Sequence, residues 1–300
     1  MTFLSLQVPD PLLGALCALG SALTWAVISL LVRTVSPPLS SVAVSVLRSL
    51  IGGALLLAWV LAAGGLGALA VVPAGALALL AVSVVIAIGV GDVAFFESAR
   101  HLGLAPAMTV TMTYPLIGAV LAAIFLDEPI TFAVAAGSLV TLSGLALIVF
   151  ARPAGGPRHG RTGFGLGAAT AASVAWAVSL LLLKPAMGSL DAVTAQAVRL
   201  PLAGLVLLAT PWGWGAATQM GRAGRGVLVR VALLGAITAG SSVLFVTGVK
   251  LADVAVAAVL SSTSPLFAIP LGLIFLGERL TARAVLGTLV TVAGLALLRL

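Results

Sequence analysis

Two stretches of the chain that lie 150 residues apart carry nearly the same sequence. Residues Gly137–Leu147 and Gly287–Leu297 are identical at eight of eleven positions. Other residues recur at an offset of 150 or 151: Trp25 and Trp176, Arg33 and Lys184, Arg48 and Arg199, Pro115 and Pro265, and Glu128 and Glu278. A duplication of this length restricts the fold to two structurally related halves. In an apolar chain, such halves are typical of transporters built from structural repeats.

The composition excludes water as the main solvent of the fold. Hydrophobic residues make up 61% of the chain and charged residues 8%, whereas soluble domains carry about 25% charged residues. The 15 Lys and Arg residues, which give a net charge of +7, lie mostly between apolar runs and form no dense basic face. They indicate membrane topology rather than nucleic-acid binding. Cys17 is the only cysteine, so neither a disulfide nor a cysteine-based metal site is expected.

Ten apolar runs are long enough to cross a bilayer as helices, which needs roughly 20 residues each. Residues 1–10 contain no Lys or Arg, so the first run is expected to be a retained span rather than a signal peptide. The sequence therefore predicts an all-α integral membrane protein with one repeat in residues 1–151, a linker in 152–162 and a second repeat in 163–300. The predicted spans are 12–33, 40–62, 74–99, 104–126, 131–151, 163–184, 191–210, 227–250, 254–276 and 281–299.

Five spans in each repeat make the repeats inverted, because the second copy must enter the membrane from the opposite side. The halves should then be related by a pseudo-twofold axis in the membrane plane, with a cavity between them near the midplane. Ten Lys and Arg residues fall in the loops on one side and three in those on the other. This asymmetry favours external termini.

Several segments together resemble the EamA-type family of the drug/metabolite transporter superfamily. The resemblance extends over almost the whole chain and is carried by Trp25, Leu47-Arg48, Gly91–Phe96, Thr113–Leu116, the turns at 127–131 and 277–281, and the glycine-bearing helices at 137–144 and 287–294. It implies ten helices in inverted halves, cytoplasmic termini, and efflux of small metabolites such as amino acids, including the aromatic ones exported by YddG-like members. The 63–74 loop, often basic in the family, carries no charge. The resemblance and the charge asymmetry thus imply opposite orientations.

Hydroxyl side chains precede a proline near the middle of predicted spans four and nine. They include Thr111 before Pro115, and Ser261 and Ser264 before Pro265. A proline within a helix frees the carbonyl four residues earlier and kinks the helix. The hydroxyls either satisfy these kinks and pack helices together or line a cavity and bind polar groups of a solute.

Trp25 and Trp176 lie about 13 residues into their spans, or about 20 Å along the helix axis. An indole N–H at that depth requires an acceptor. The two tryptophans either pack in the core or form the aromatic surface of a substrate site. Tyr114, Phe95 and Phe245 could extend that surface.

Three charged residues lie within predicted spans. Arg48 and Arg199 are expected either to hold carbonyls of neighbouring helices or to bind a carboxylate. Asp92, whose repeat counterpart is Ser242, is expected either to pair with Arg48 or to take up a proton.

Short turns and glycines account for further features of both repeats. Glu97, with Arg100 and His101 following on the same helix face, is interpreted as part of a local ion network. Glu128 and Glu278 lie in short turns before the next helices, whose positive starts they are expected to favour, and Thr131 and Thr281 suit the N-cap positions. The spaced glycines of the fifth and tenth spans should allow close helix packing, within the halves or between protomers.

These observations favour a multi-pass protein of the inner or plasma membrane that exports a small organic metabolite, most favourably an amino acid, by alternating access. The expected partners are the solute, the lipid bilayer and a proton as a candidate coupling ion, with either a monomer or a homodimer as the assembly. No catalytic residues, metal or cofactor are expected, and no GxxxxGK[ST] loop for ATP is present. Efflux of lipophilic cations or nucleosides is the alternative. A polytopic enzyme or a channel is more remote.

Overall fold

A computed structural model describes most of the chain. The described residues are 10–35, 39–65, 67, 72–102, 107, 110–111, 113–151, 162–188, 190–276 and 282–297. Throughout these ranges the regular elements are helices. The linker predicted at 152–162 falls outside them except for Thr162, as does the turn that contains Glu278.

The helices follow the apolar runs of the sequence. Those of the first half are α1 (Asp10–Val35), α2 (Ser41–Ala62), α3 (Ala74–Val84), a π-helical segment (Val85–Asp92), α4 (Val93–Leu102), α5 (Tyr114–Phe125) and α6 (Phe132–Ala151). Those of the second half are α7 (Thr162–Ala186), α8 (Ala192–Leu208), α9 (Ala216–Arg222), α10 (Arg225–Leu251), α11 (Val254–Ser261), α12 (Ser264–Leu276) and α13 (Ala282–Leu297).

Among the described residues, five helices are long and apolar enough to cross a membrane. They are Asp10–Val32, Val42–Ala62, Ala74–Phe95, Thr162–Ala186 and Arg225–Leu251. Shorter apolar helices at 114–125, 132–147, 192–208 and 285–297 match predicted spans four, five, seven and ten, and α11 with α12 covers span nine. Large apolar side chains such as Phe132 (88% exposed) and Ile274 (73%) face outward, as a lipid environment permits. The helical membrane fold is confirmed, while the count of ten spans stays a prediction.

The two halves interleave, because the first helix of each packs against the third and fourth predicted spans of the other. Helix α1 contacts α10, α11 and α12, and α7 contacts α3, the π-helical segment, α4 and α5. Helix α2 packs against α8 and α10. The core is therefore built largely from contacts between halves.

Close packing of α6 against α13 depends on the repeated glycines. A Cβ atom at Gly144 would lie 2.7 Å from the carbonyl oxygen of Gly287, and one at Gly294 would overlap the backbone of Thr141. Distances this short exclude a side chain at either position. The contact joins the two halves of one chain.

The prolines of predicted spans four and nine begin helices at interruptions. Pro115 lies in the first turn of α5, directly after a turn at Thr113. Helix α11 ends at Ser261, and α12 begins at Ser264 with Pro265 as its second residue. Because proline has no N–H to leave unsatisfied in a first turn, each proline starts a new helix where the sequence predicted a kink within one.

Candidate functional site

The π-helical segment is held to α7 by the indole of Trp176. Its Nε1 atom donates to Asp92 Oδ1 at 3.0 Å and lies 3.2 Å from the carbonyl oxygen of Ala87. Both acceptors belong to the segment 85–92, so one indole contacts both of its ends. Short π-helical segments occur often at functional sites. The sequence predicted an acceptor for this indole without identifying Asp92.

Gly91 allows this contact and was missed as a functional position. A Cβ atom at Gly91 would lie 2.6 Å from both Cδ1 and Nε1 of Trp176, which is too close for any other residue. The repeat counterpart of Gly91 is Ser241, whose Oγ lies 2.8 Å from Thr24 Oγ1 on α1. The available sequence signal for this contact was the difference between the repeats, which have glycine in the first and serine in the second.

Three aromatic residues and Asp92 form one group, which we call the central cluster. The Trp176 ring lies 5.6 Å from that of Phe95 and 6.0 Å from that of Tyr114, centroid to centroid. Edge-to-face and tilted contacts at these distances are favourable. The structure thus brings together Asp92, Phe95, Tyr114 and Trp176, which come from predicted spans three, four and six.

The Tyr114 hydroxyl connects this cluster to the end of α11. It donates to the Ala258 carbonyl oxygen at 3.1 Å and lies 2.9 Å from Ser262 Oγ, which can donate to it. Ser262 directly follows the last residue of α11, and its N–H and hydroxyl also donate to the Ala258 carbonyl oxygen, at 3.1 and 2.8 Å. The only tyrosine of the chain therefore joins the interruptions of predicted spans four and nine. Ser262 belongs to the stretch of hydroxyls that the sequence indicated before Pro265, whereas Ala258 was not indicated.

The two repeated arginines have different surroundings. Arg48 is partly exposed, and its guanidinium carbon lies 5.1 Å from the ring centroid of Trp25, a cation–π distance. Arg199 is buried (9% exposed), and its guanidinium donates to Ser83 Oγ at 3.3 Å and Ser179 Oγ at 3.2 Å. Both arginines interact electrostatically with the Asp92 carboxylate.

Trp25 is more exposed than Trp176, just as Arg48 is more exposed than Arg199. Trp25 is 44% exposed, whereas Trp176 is partly buried. Arg48 and Trp25 are therefore each more exposed than their repeat counterparts Arg199 and Trp176.

Several other predicted binding residues make contacts within or between helices. Thr111, 3% exposed, donates to the Ala107 carbonyl oxygen at 3.0 Å, and Ser261 donates to that of Ala257 at 2.7 Å. Bonds of this kind, to a carbonyl four residues earlier, are common for hydroxyls within helices. Ser264 is partly buried in the first turn of α12, and the side chain of Pro265 lies outside the described part of the chain. Phe245, like Tyr114, packs against a buried apolar cluster.

An open apolar groove of about 500 Å³ lies beside α4 and α7, separate from these residues. It is lined by Gly89, Val90, Val93, Ala94, Glu97, Phe164, Gly167, Ala168 and Ala171. None of the predicted substrate-binding residues lines it. Glu97 Oε2 lies 3.9 Å from His101 Nε2, in accord with the local network that the sequence indicated.

Glu128 caps a different helix from the one expected. Its Oε2 atom accepts from the backbone N–H of Val254 at 2.7 Å, at the start of α11, and its Oε1 lies 3.2 Å from Lys184 Nζ. Helix α6, which follows Glu128 in the chain, is capped by Thr131, whose Oγ1 accepts from Val134 N at 3.2 Å. Thr131 is thus the N-cap of α6, as the sequence predicted, whereas Glu128 contacts the start of α11 instead of the start of α6, because the turn that carries it is directed toward the second half.

Within the described residues, no group of three or more His, Cys, Asp or Glu side chains could hold a metal ion. A helical membrane fold in two related halves, with charges of both signs and indoles between them, is typical of membrane transporters. The chain belongs to the EamA-like transporter family, whose model matches residues 12–150 and again residues 163–300. The resemblance found in the sequence is thereby confirmed, once in each half.

Two similar proteins agree with this placement. An uncharacterized transporter from Archaeoglobus fulgidus is 27% identical over 222 residues, which cover 74% of this chain and 76% of the relative. A crystal structure described only as that of a protein is 20% identical, with a TM-score of 0.76 over 95% of this chain and 94% of the other. The second similarity shows that the fold is shared.

Proposed function

We propose that the protein is a secondary transporter of the cell membrane that exports small organic metabolites, with amino acids as the favoured solutes. It carries them by alternating access through a cavity between two inverted five-helix repeats. Family membership, the duplicated sequence and the interleaved halves support this proposal. Amino acids that carry aromatic or other apolar side chains fit the aromatic surroundings best.

The observation that carries the choice of solute is the placement of opposite charges beside aromatic rings. Arg48 lies against Trp25, and Asp92 accepts a hydrogen bond from Trp176. A zwitterion could place its carboxylate at Arg48 and its ammonium at Asp92, with the side chain against Phe95 and Trp176. Such a site combines an apolar lining with a few charged groups that orient the ligand.

The balance of charge argues against the lipophilic cations. Two arginines, Arg48 and Arg199, interact with the single carboxylate of Asp92. These three side chains carry a net charge of +1 when Asp92 is ionised and +2 when it is protonated. A cation would be repelled in either state, whereas a carboxylate would be attracted.

Asp92 is the proposed site of proton coupling. Its carboxylate is partly exposed in predicted span three, and the charged groups that act on it are Arg48 and Arg199. An ammonium group and a proton would compensate the same negative charge, so they compete for it. Competition of this kind exchanges one solute molecule for an entering proton.

The proposal can be tested by counterflow in liposomes with labelled L-phenylalanine, L-leucine, a nucleoside and a lipophilic cation. We expect exchange of the amino acids, with loss of exchange in Trp25→Ala and Trp176→Ala at unchanged folded yield. Trp59→Ala is a matched control, since Trp59 is 68% exposed at the end of α2. Exchange of the lipophilic cation alone would refute the proposed solute class, and full exchange in both variants would remove these tryptophans from the site.

A further inference from the structure

One acidic side chain of the first half holds two elements of the second. Glu128 lies in the turn between α5 and α6, and its two oxygens have separate partners. Oε1 lies 3.2 Å from Lys184 Nζ near the end of α7, and Oε2 accepts from Val254 N at the start of α11 at 2.7 Å. Lys184 Nζ also donates to the carbonyl oxygen of Ala252, the residue directly after α10. The turn between α5 and α6, the ends of α7 and α10, and the start of α11 therefore meet at this one ion pair.

The pair is largely shielded from solvent. The side chains of Glu128 and Lys184 are 15% and 24% exposed. Charged hydrogen bonds with so little access to water are stronger than those on an open surface. Glu128 also accepts an N–H at a helix start, where the helix dipole favours a negative charge. These contacts are thus stronger than an exposed ion pair.

A buried apolar cluster adjoins the pair, because it contains Leu183, the chain neighbour of Lys184, and Val254, whose N–H binds Glu128. Its members come from both halves and include Leu80 and Ala122 of the first and Leu183, Met187, Val249, Val254 and Ala258 of the second. Leu80 and Leu183 are fully buried. We call this region, with Glu128 and Lys184, the closed end of the seam between the halves.

The closed end is joined to the central cluster by one short helix. Helix α11 comprises only eight residues. Glu128 binds its first N–H, and the Tyr114 hydroxyl binds the Ala258 carbonyl oxygen near its last turn. Tyr114 in turn lies against Trp176. A shift of the Trp176 indole can therefore reach the Glu128 contact through Tyr114 and α11.

We propose that Glu128, Lys184 and the N-terminus of α11 form a gate that closes one end of the solute pathway and opens once in each transport cycle. The inference rests on the proposed function, because the closed end must open only if a solute passes through it. Release of Glu128 from Val254 and Lys184 frees α11 at one end. The apolar contacts beneath it can then separate.

The gate can be tested without any solute, by cysteine accessibility. In a Cys17→Ser background, Ser261→Cys places a reporter at the last residue of α11, about 10 Å along the axis from its start. A charged, membrane-impermeant methanethiosulfonate reagent is added to sealed vesicles of either orientation. A separate Asp253→Cys variant, at an exposed residue beside the gate, identifies the orientation that presents this face.

We expect Glu128→Gln to raise the labelling rate of the reporter from the gate face by about tenfold or more, since a hydrogen bond to a charged group contributes enough to shift an equilibrium by that factor. Asp253→Asn is the matched control. This variant also removes one negative charge, at the residue before Val254. The Asp253 side chain makes no capping hydrogen bond to α11, so the labelling rate should stay unchanged. Equal rates in Glu128→Gln and Asp253→Asn would overturn the gate.

A charge exchange separates the gate from an ordinary ion pair. Glu128→Lys with Lys184→Glu restores opposite charges but places a donor before the N–H of Val254, so labelling should stay fast. A return to the slow rate would overturn the role of α11. Lys184→Met keeps the hydrogen bond from Val254 N to Glu128, so its labelling rate should lie between those of Asp253→Asn and Glu128→Gln. A rate equal to that of Asp253→Asn would overturn the role of Lys184. Failed amino-acid counterflow with these labelling results intact would refute the solute and leave the gate standing.

Discussion

The repeated arginines allow one prediction to be made with an internal control. Arg48 and Arg199 occupy equivalent positions, yet only Arg48 is partly exposed, beside Trp25, while Arg199 is bonded to Ser83 and Ser179. If Arg48 binds the solute carboxylate, Arg48→Ala should lower the affinity for the solute and leave the fold intact. Arg199→Ala should chiefly lower the free energy of unfolding.

The magnitudes follow from what each side chain contacts. A hydrogen bond to a charged group contributes about 1.5–3 kcal/mol, so loss of the Arg48 contact should weaken binding by about 10- to 150-fold. For Arg199, removal leaves the buried Ser179 hydroxyl without its guanidinium, at a cost of about 1–3 kcal/mol, and a cavity in place of the stem. Ser83 also donates to the Leu80 carbonyl oxygen at 2.8 Å, so its hydroxyl keeps a hydrogen bond when Arg199 is removed. The free energy of unfolding should fall by about 2–5 kcal/mol in all.

The assay compares L-phenylalanine with L-phenylalaninamide, which lacks the carboxylate. Affinities are read from the solute dependence of the melting temperature of purified protein, and counterflow in liposomes confirms them. The wild type should prefer L-phenylalanine, and Arg48→Ala should bind both compounds weakly and equally. Arg199→Ala should melt several degrees lower and keep the preference. An Arg48→Ala protein that still prefers the carboxylate, or a loss of preference confined to Arg199→Ala, would refute the assignment.

Three further outcomes are expected. Gly91→Ala should displace the Trp176 indole, because its Cβ would lie 2.6 Å from that ring, and should weaken binding of L-phenylalanine. Gly75→Ala is the control, because the space around its Cβ is open. Equal affinities of the two variants for L-phenylalanine would contradict the contact. Asp92→Asn should keep an acceptor for the indole but abolish the dependence of export on the pH gradient, and persistent dependence would exclude Asp92 as the proton site. Gly144→Val should push α6 away from α13 and lower the free energy of unfolding by about 1–3 kcal/mol. Thermal unfolding in detergent measures this change, and an unchanged melting temperature would contradict the close packing.

The helices could be predicted because apolar length alone determines them. Runs of roughly 20 apolar residues must form helices in lipid, where each backbone group needs an internal partner. The described helices follow those runs closely. The interruption at residues 85–92 and the helix start at Tyr114 depend instead on tertiary contacts. No local feature of the sequence distinguishes a π-helical turn from an α-helical one.

The different surroundings of the two arginines agree with a difference between the repeats, but the repeat alone could not predict them. Ser83 and Ser179, which hold Arg199, have Leu233 and Ile28 as their repeat counterparts. Arg48 therefore lacks equivalent hydroxyls. Comparing the neighbours of a repeated residue, and not only the residue itself, would have separated a structural guanidinium from an accessible one. Such a comparison requires knowing which helices meet, and the sequence does not state that.

Glu128 also shows that the sequence does not state which helices meet, but here the repeat itself indicates the contact. The position of Glu128 before α6 indicated a local cap, since helix starts attract acids, but its partners belong to α7 and α11. In the sequence, the acid and the cation recur together, as Glu128 with Lys184 and as Glu278 with Arg33. Joint recurrence of opposite charges from different spans is better explained by a contact between them than by two separate caps. In inverted repeats the second set would lie at the opposite face, which is the arrangement that alternate opening of two ends requires.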